Sequence, residues 1–137
     1  MPFNDQTLEN NLNLDNKKTR HRTILVVDDN ATVAGLIVLT LGRLGYVNVE
    51  TASDGKEALE MAERIRPDLV ILDIDMPEMD GIETARHLVV LNPCSIIFST
   101  GSCDANTERR TRETPASSYL AKPFSPAQLE AAVQLAH

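Results

Sequence analysis

The chain has 137 residues, 42% of them apolar and 24% charged, with a net charge of −7 at pH 7. That is room for one domain with its own core and too little for two, and the acidic balance argues against direct nucleic-acid binding through a broad basic face. Aromatics are 4% and Trp is absent, so the core has to be aliphatic, and no apolar run approaches the roughly 18–20 residues of a membrane span. Residues 1–21 read as a disordered or loosely packed tail, with Asn4, Asn10, Asn11, Asn13 and Asn16 but little to bury. The first ten residues have no basic start and no apolar block, so no secretory signal is expected there.

From Thr23 the pattern changes. Ile24, Leu25, Val26 and Val27 form a short apolar run ending at Asp28 and Asp29, as a strand buried on both faces does. Residues 31–44 carry a helical stripe of Val33, Leu36, Ile37, Leu41 and Leu44, closed by Gly45. Residues 47–52 alternate as a second strand. Asp54 and Glu57 are a capping pair for a helix carrying Ala58, Ala62 and Ile65, which Pro67 stops. Residues 68–73 are a third strand, apolar between two carboxylates. Asp80 and Glu83 open a third helix with Ile82, Ala85, Leu88 and Val89 on its face. Residues 95–100 are a fourth strand and 118–122 a short fifth. Ser125, Pro126 and Gln128 form a capping box with Pro at the first helical position, and Leu129, Ala132, Val133 and Ala136 make the last stripe.

Strands alternating with helices at this spacing predict an α/β fold of right-handed βαβ units. The compact solution is a five-stranded parallel sheet in a doubly wound, flavodoxin-like (βα)5 sandwich, strand order 2-1-3-4-5. Its ligand belongs at the carboxyl ends of the strands, and the polar residues there are Asp28 and Asp29, Asp73, Thr100, and Lys122 with Pro123. Each alone has a bland reading as a cap, a strand end or a solvated charge. Together they fall on one edge of one sheet. Three carboxylates that repel one another call for a cation. An all-oxygen set, with no His or Cys placed to soften it, suits Mg²⁺ or Mn²⁺. Such a metal is the usual companion of a phosphoryl group, and an Asp can be the nucleophile that forms an aspartyl phosphate. Lys122 and the Thr100 hydroxyl would then meet the transferred oxygens.

Residues 22–137 resemble the receiver domain of two-component response regulators. The resemblance rests on Ile24 to Asn30, the block Asp-x-x-Met-Pro-x-Met-Asp-Gly from Asp73 to Gly81, Thr100 with Gly101, and Tyr119 to Phe124. It implies that Asp73 accepts phosphate from a histidine kinase or a histidine phosphotransfer protein. It implies that Asp29, Asp73 and the backbone carbonyl of Asp75 bind the metal, with Asp28 acting mainly through water. Thr100 and Tyr119 become the switch pair, Lys122 pairs with the phosphate, and the Lys122–Pro123 bond is expected to be cis. The Asp75 side chain reads either as a solvated loop carboxylate or as a group beside the phosphate that tunes its lifetime. The module would be regulatory and cytoplasmic, with no activity beyond its own phosphorylation and dephosphorylation.

Two stretches depart from that pattern. Asn106 to Thr114 holds no apolar side chain, and Pro115 stands where a helix-closing Gly is usual. This predicts a short, weakly docked or mobile fourth helix, with Arg109, Arg110 and Arg112 as a solvated face or a small partner patch. The first helix has no charge from residue 30 to 42. Its outer face is expected to carry Ala34, Gly35, Val38, Leu39 and Gly42, and to dock a helical phosphodonor or a second copy, with Ala34, Val38 and Leu39 as the contacts. Cys94 and Cys103 make neither a disulfide framework nor a CxxC site and read as reduced thiols.

Rival readings explain less. Asp73-Ile74-Asp75 superficially fits an aspartate-nucleophile phosphatase of the haloacid dehalogenase kind, but Pro77 breaks its signature and Asp28 with Asp29 goes unexplained. A flavodoxin needs a hydroxyl-rich phosphate loop where two carboxylates stand, and no GxxxxGK[ST] occurs. A receiver kept only as an interaction module has no reason to retain all five key positions. The output domain of a longer regulator, a single-domain mode of action and the downstream partner are left open.

Overall fold

The structure, a computed structural model, describes residues 21–76, 80–101, 104–114 and 117–136, with Ser117 by its backbone alone. The expected tail lies almost wholly outside these residues, as do Cys103, Pro115 and Pro77. Strands β1 (Thr23–Val27), β2 (Asn48–Ala52), β3 (Leu69–Asp73), β4 (Ser95–Thr100) and β5 (Ser117–Ala121) form one sheet in the order β2-β1-β3-β4-β5. Every pairing is parallel. β1, β3 and β4 lack a polar face because both faces are covered, and nearly all their residues are buried. β2 is one of the two edge strands, and its Asn48, Glu50 and Thr51 face solvent.

Helices α1 (Ala31–Arg43), α2 (Gly55–Ile65), α3 (Gly81–Leu91), α4 (Ala105–Arg112) and α5 (Pro126–Leu135) cross between the strands. Each starts where the sequence supplies an acceptor for orphan N–H groups. Asn30 caps α1, Asp54 α2, Asp80 α3, Asp104 α4 and Ser125 α5, the last as a full capping box. Gly45, at φ 98°, closes α1 in the left-handed region that favours Gly. Two cores result, one on each face of the sheet: Leu25, Leu72 and Phe98 pack toward α2 and α3, and Ile24, Ile71 and Ile97 toward α1 and α5. Among the described residues no helix is long and apolar enough to cross a membrane.

The α1 stripe differs from expectation. Leu36 is exposed, and Ala34, expected outward, is buried beside Ile37 and Leu41. At about 100° per residue Ala34, Ile37, Val38 and Leu41 share one side, and Leu36 lies about 160° from Ala34. Weighting the larger side chain shifted the predicted phase. Gly35, Leu39 and Gly42 are exposed as expected, and Val38 is half-buried.

α4 is short, and the one residue it buries is Thr111. The three arginines on it are engaged within the chain: Arg110 with Asp80, Arg112 with Glu108, and Arg109 with Asn106. The bond from Lys122 to Pro123 is cis.

Candidate functional site

β1 and β3 are neighbours, and β1 pairs with β3 up to Val27↔Leu72. The next residues, Asp28 and Asp73, therefore emerge together at the carboxyl edge. Both are buried, and Asp29 beside them is exposed. One carboxylate oxygen from each of Asp28, Asp29 and Asp73 lies within 4.8 Å of the others. Lys122 reaches the same point from the end of β5. Its Nζ is 2.9 Å from Asp28 Oδ2 and 3.5 Å from Asp73 Oδ2. The sequence-predicted carboxylates and ammonium thus meet in one place.

Local hydrogen bonds aim these groups. The Asn30 N–H donates to Asp28 Oδ1 at 2.9 Å, so Asp28 is engaged at both oxygens. The Asp75 N–H donates to Asp73 Oδ1 at 2.9 Å, leaving Oδ2 toward Lys122. Burial is the largest influence on the Asp73 carboxyl and holds it above the ordinary carboxylate range, aided by the Asp28 and Asp75 charges. The Asp75 N–H and Lys122 oppose this without overcoming it. Burial works against the Lys122 charge, but the Asp28 and Asp73 carboxylates outweigh it and raise its pKa. Four charges in a confined space, three of one sign, leave a net negative pocket with an exposed rim at Asp29. These hard oxygen donors fit a divalent cation such as Mg²⁺.

Thr100, at the end of β4, is buried, and Tyr119 on β5 is half-buried against the α2 and α3 core. The Asp75 side chain is exposed but not freely solvated. The Thr100 hydroxyl donates to its Oδ2 at 2.7 Å, and the Gly101 N–H donates to the same oxygen at 3.0 Å. The second carboxylate of the phosphatase-like pair is therefore tied to the next strand.

Gly81 matters beyond its place in the motif. A Cβ there would lie 2.5 Å from the Asp73 carbonyl oxygen and 2.7 Å from the Ile74 Cα. The start of α3 rests directly on the backbone of Asp73, and no side chain fits between. Asp80 caps α3 through the Ile82 N–H at 2.8 Å and pairs with Arg110 of α4. Burial raises the Asp80 pKa, yet the Arg110 guanidinium and the Ile82 N–H bring it below the usual carboxylate range. The sequence marks Asp80 as the cap of this helix, but neither the Gly81 contact nor the partner on α4 had a local signal.

Of the expected docking residues, Ala34 and Val38 line a cleft of about 390 Å³ shared with Asp28, Asp29 and Glu57. Ala34 contributes to it from a buried position, and Leu39 stands exposed outside it. A second groove of about 450 Å³ runs along the other flank of α1 between Leu36 and Phe124. Burial, with the Asp68 charge, pushes the Cys94 thiol up to about 11, in keeping with an inert thiol.

Residues 24–134 match the response regulator receiver domain family. Among curated proteins the chain is similar to the transcriptional regulatory protein PdtaR of Mycobacterium tuberculosis, 37% identical over 115 residues, 84% of this chain and 56% of that protein. It is also similar to the alkaline phosphatase synthesis transcriptional regulatory protein PhoP of Bacillus subtilis, 39% identical over 118 residues, 83% of this chain and 48% of that protein. The chain thus spans about half the length of the curated relatives it matches. Among solved structures it resembles the chemotaxis protein CheY4 of Vibrio cholerae, TM-score 0.79 at 31% identity, covering 85% of this chain and 99% of that one. A Burkholderia pseudomallei response regulator, solved with a phosphorylated aspartic acid, a calcium ion and citrate, matches with TM-score 0.76 at 30% identity, covering 83% of this chain and 67% of that one.

Proposed function

Since the chain belongs to the response regulator receiver domain family, and is thereby a regulatory module of two-component signalling, we propose that it is switched by phosphorylation of Asp73. The observation that carries this is the buried Asp73 carboxylate with Lys122 Nζ at 3.5 Å and two further carboxylates around it. The phosphorylated aspartic acid of the Burkholderia relative supports the same assignment. The phosphodonor is the phosphohistidine of a histidine kinase or phosphotransfer protein, or a small acyl phosphate.

In the reaction an Asp73 oxygen attacks phosphorus as the P–N bond to imidazole, or the P–O bond to the acyl group, breaks. The leaving group departs with the bonding electron pair. Asp28, Asp29 and Asp73, with the Asp75 backbone carbonyl, would hold Mg²⁺ or Mn²⁺, which supplies positive charge against the phosphoryl oxygens when bound. Lys122, already held by Asp28, pairs with one of those oxygens as the Asp73 charge is spread onto the new group. The Thr100 hydroxyl turns toward another, and Tyr119 follows into the space vacated, changing the surface around β5. The phosphodonor approaches over the charge-free face of α1 at Val38 and Leu39, next to Asp29. The module is taken as residues 22–137, acting in the cytoplasm. Its output, alone or within a longer regulator, runs through a protein partner.

The test is incubation with acetyl phosphate and Mg²⁺, read by intact mass. The expected result is a gain of about 80 Da, one phosphoryl group in place of a proton, abolished by chelator and by Asp73→Asn. No gain with Mg²⁺ present would overturn the proposal.

A further inference from the structure

Asp75 is exposed, yet one of its carboxylate oxygens is held by two donors from β4 and the residue after it. The Thr100 hydroxyl lies 2.7 Å away and the Gly101 N–H 3.0 Å, both on Oδ2. A hydroxyl and a backbone amide converging on a single anionic oxygen make an oxyanion seat. The sheet puts that seat beside Asp73. Asp73 and Ser99 are partners in register, and the Ile74 N–H donates to the Ser99 carbonyl at 3.0 Å, so Thr100 and Gly101 follow alongside Asp75.

A phosphoryl group on Asp73 brings new anionic oxygens into a pocket where Asp28 and Asp29 repel them. Lys122 serves one such oxygen. The Thr100 hydroxyl and the Gly101 N–H that Asp75 holds are two further donors on this side of the pocket. Resting on the reading of Asp73 as the phosphoryl acceptor, we propose that the Asp75 carboxylate is a built-in stand-in for a phosphoryl oxygen, occupying the Thr100–Gly101 seat until the group on Asp73 displaces it. Asp75 is then a positioning residue. It holds the Thr100 hydroxyl toward its own loop in the resting protein and sets how strongly an incoming group must bind to take that hydroxyl over. The effect belongs to the hydrogen bonds and not to the charge of Asp75 alone, so it depends on Thr100 being present.

The probe is beryllofluoride with Mg²⁺, a tetrahedral stand-in for the phosphoryl group, titrated against the full chain and followed by amide spectra. Wild type should saturate and Asp73→Asn should not; if wild type fails to bind, the phosphoacceptor reading fails. The seat is checked without any ligand. The Gly101 amide proton should lie downfield in wild type and move upfield in Asp75→Ala; an unmoved resonance overturns the proposal whatever beryllofluoride does. With the probe, Asp75→Ala should lower the half-saturating concentration about tenfold, the scale of one hydrogen bond to a charged group. Asp75→Asn, which keeps an acceptor oxygen, should fall between the two. In a Thr100→Ala background the gain from Asp75→Ala should shrink to less than about threefold. Equal binding by wild type and Asp75→Ala, or a gain undiminished in that background, overturns the proposal.

Discussion

Replacing Asp73 by Asn should make the metal-free protein more stable while removing its chemistry. The carboxylate oxygens of Asp28, Asp29 and Asp73 lie within 4.8 Å of one another. At an effective dielectric of about 20, two unit charges at that separation repel by about 3.5 kcal/mol. Lys122 at 3.5 Å returns about 4.7 kcal/mol to Asp73 on the same scale. Asp73→Asn removes the repulsions from Asp28, Asp29 and Asp75 and the attraction to Lys122. Asp29 is exposed, so water and salt screen its share. The burial cost that dominates the raised Asp73 pKa also disappears, and Asn keeps an acceptor for the Asp75 N–H. A net gain of about 1–2 kcal/mol is expected, a midpoint shift of about 1 M in urea for a domain of this size. The assay is urea unfolding at pH 7 in chelator, repeated with Mg²⁺. Wild type should gain stability from the ion by mass action and the variant much less. A variant less stable than wild type in chelator, or equal gains from Mg²⁺, would refute the picture of a strained carboxylate cluster.

Further outcomes follow from the same geometry. Because burial raises the folded-state Asp73 pKa, its contribution to stability is fully present below the ordinary value near pH 4 and is lost as pH rises through the higher folded value. The advantage of Asp73→Asn in chelator should therefore be small near pH 4 and grow toward pH 7; a gap independent of pH in urea titrations contradicts it. Gly81→Ala forces a Cβ to within 2.5 Å of the Asp73 carbonyl. It should cost about 2–3 kcal/mol in urea and slow acetyl phosphate labelling, whereas a silent substitution would show that α3 does not bear on Asp73. Val38→Lys should slow phosphotransfer from a histidine kinase at least several-fold and leave acetyl phosphate labelling intact; equal loss of both would remove the docking face from α1.

Much of this was legible in the sequence because burial on both faces leaves no polar alternation to misread. β3 and β4 fall within a residue of their apolar runs, and three of the five caps, Asp54, Asp80 and Ser125, are visible as side chains with a defined partner a few positions on, whereas Asn30 and Asp104 emerge only in the structure. The edge strand β2, half solvated, was placed a residue early. The phase of α1 was misjudged because Leu36 outweighs Ala34 in hydrophobicity while the geometry of the helix favours Ala34. The convergence of Asp28, Asp29, Asp73 and Lys122 follows from topology alone, since strand ends in a parallel sheet share one edge. What sequence could not supply were contacts between loops. The hold of Thr100 and Gly101 on Asp75, and the reach of Arg110 from α4 to Asp80, depend on how two connections lie against each other.

The most direct test of the central claim is where a phosphoryl group lands. After acetyl phosphate and Mg²⁺, borohydride reduction of the acyl phosphate and peptide sequencing by mass spectrometry should find homoserine in place of aspartate at position 73 and nowhere else. Reduction at Asp28, Asp29 or Asp75, or an unmodified Asp73 in a chain that has gained the phosphoryl mass, would contradict it.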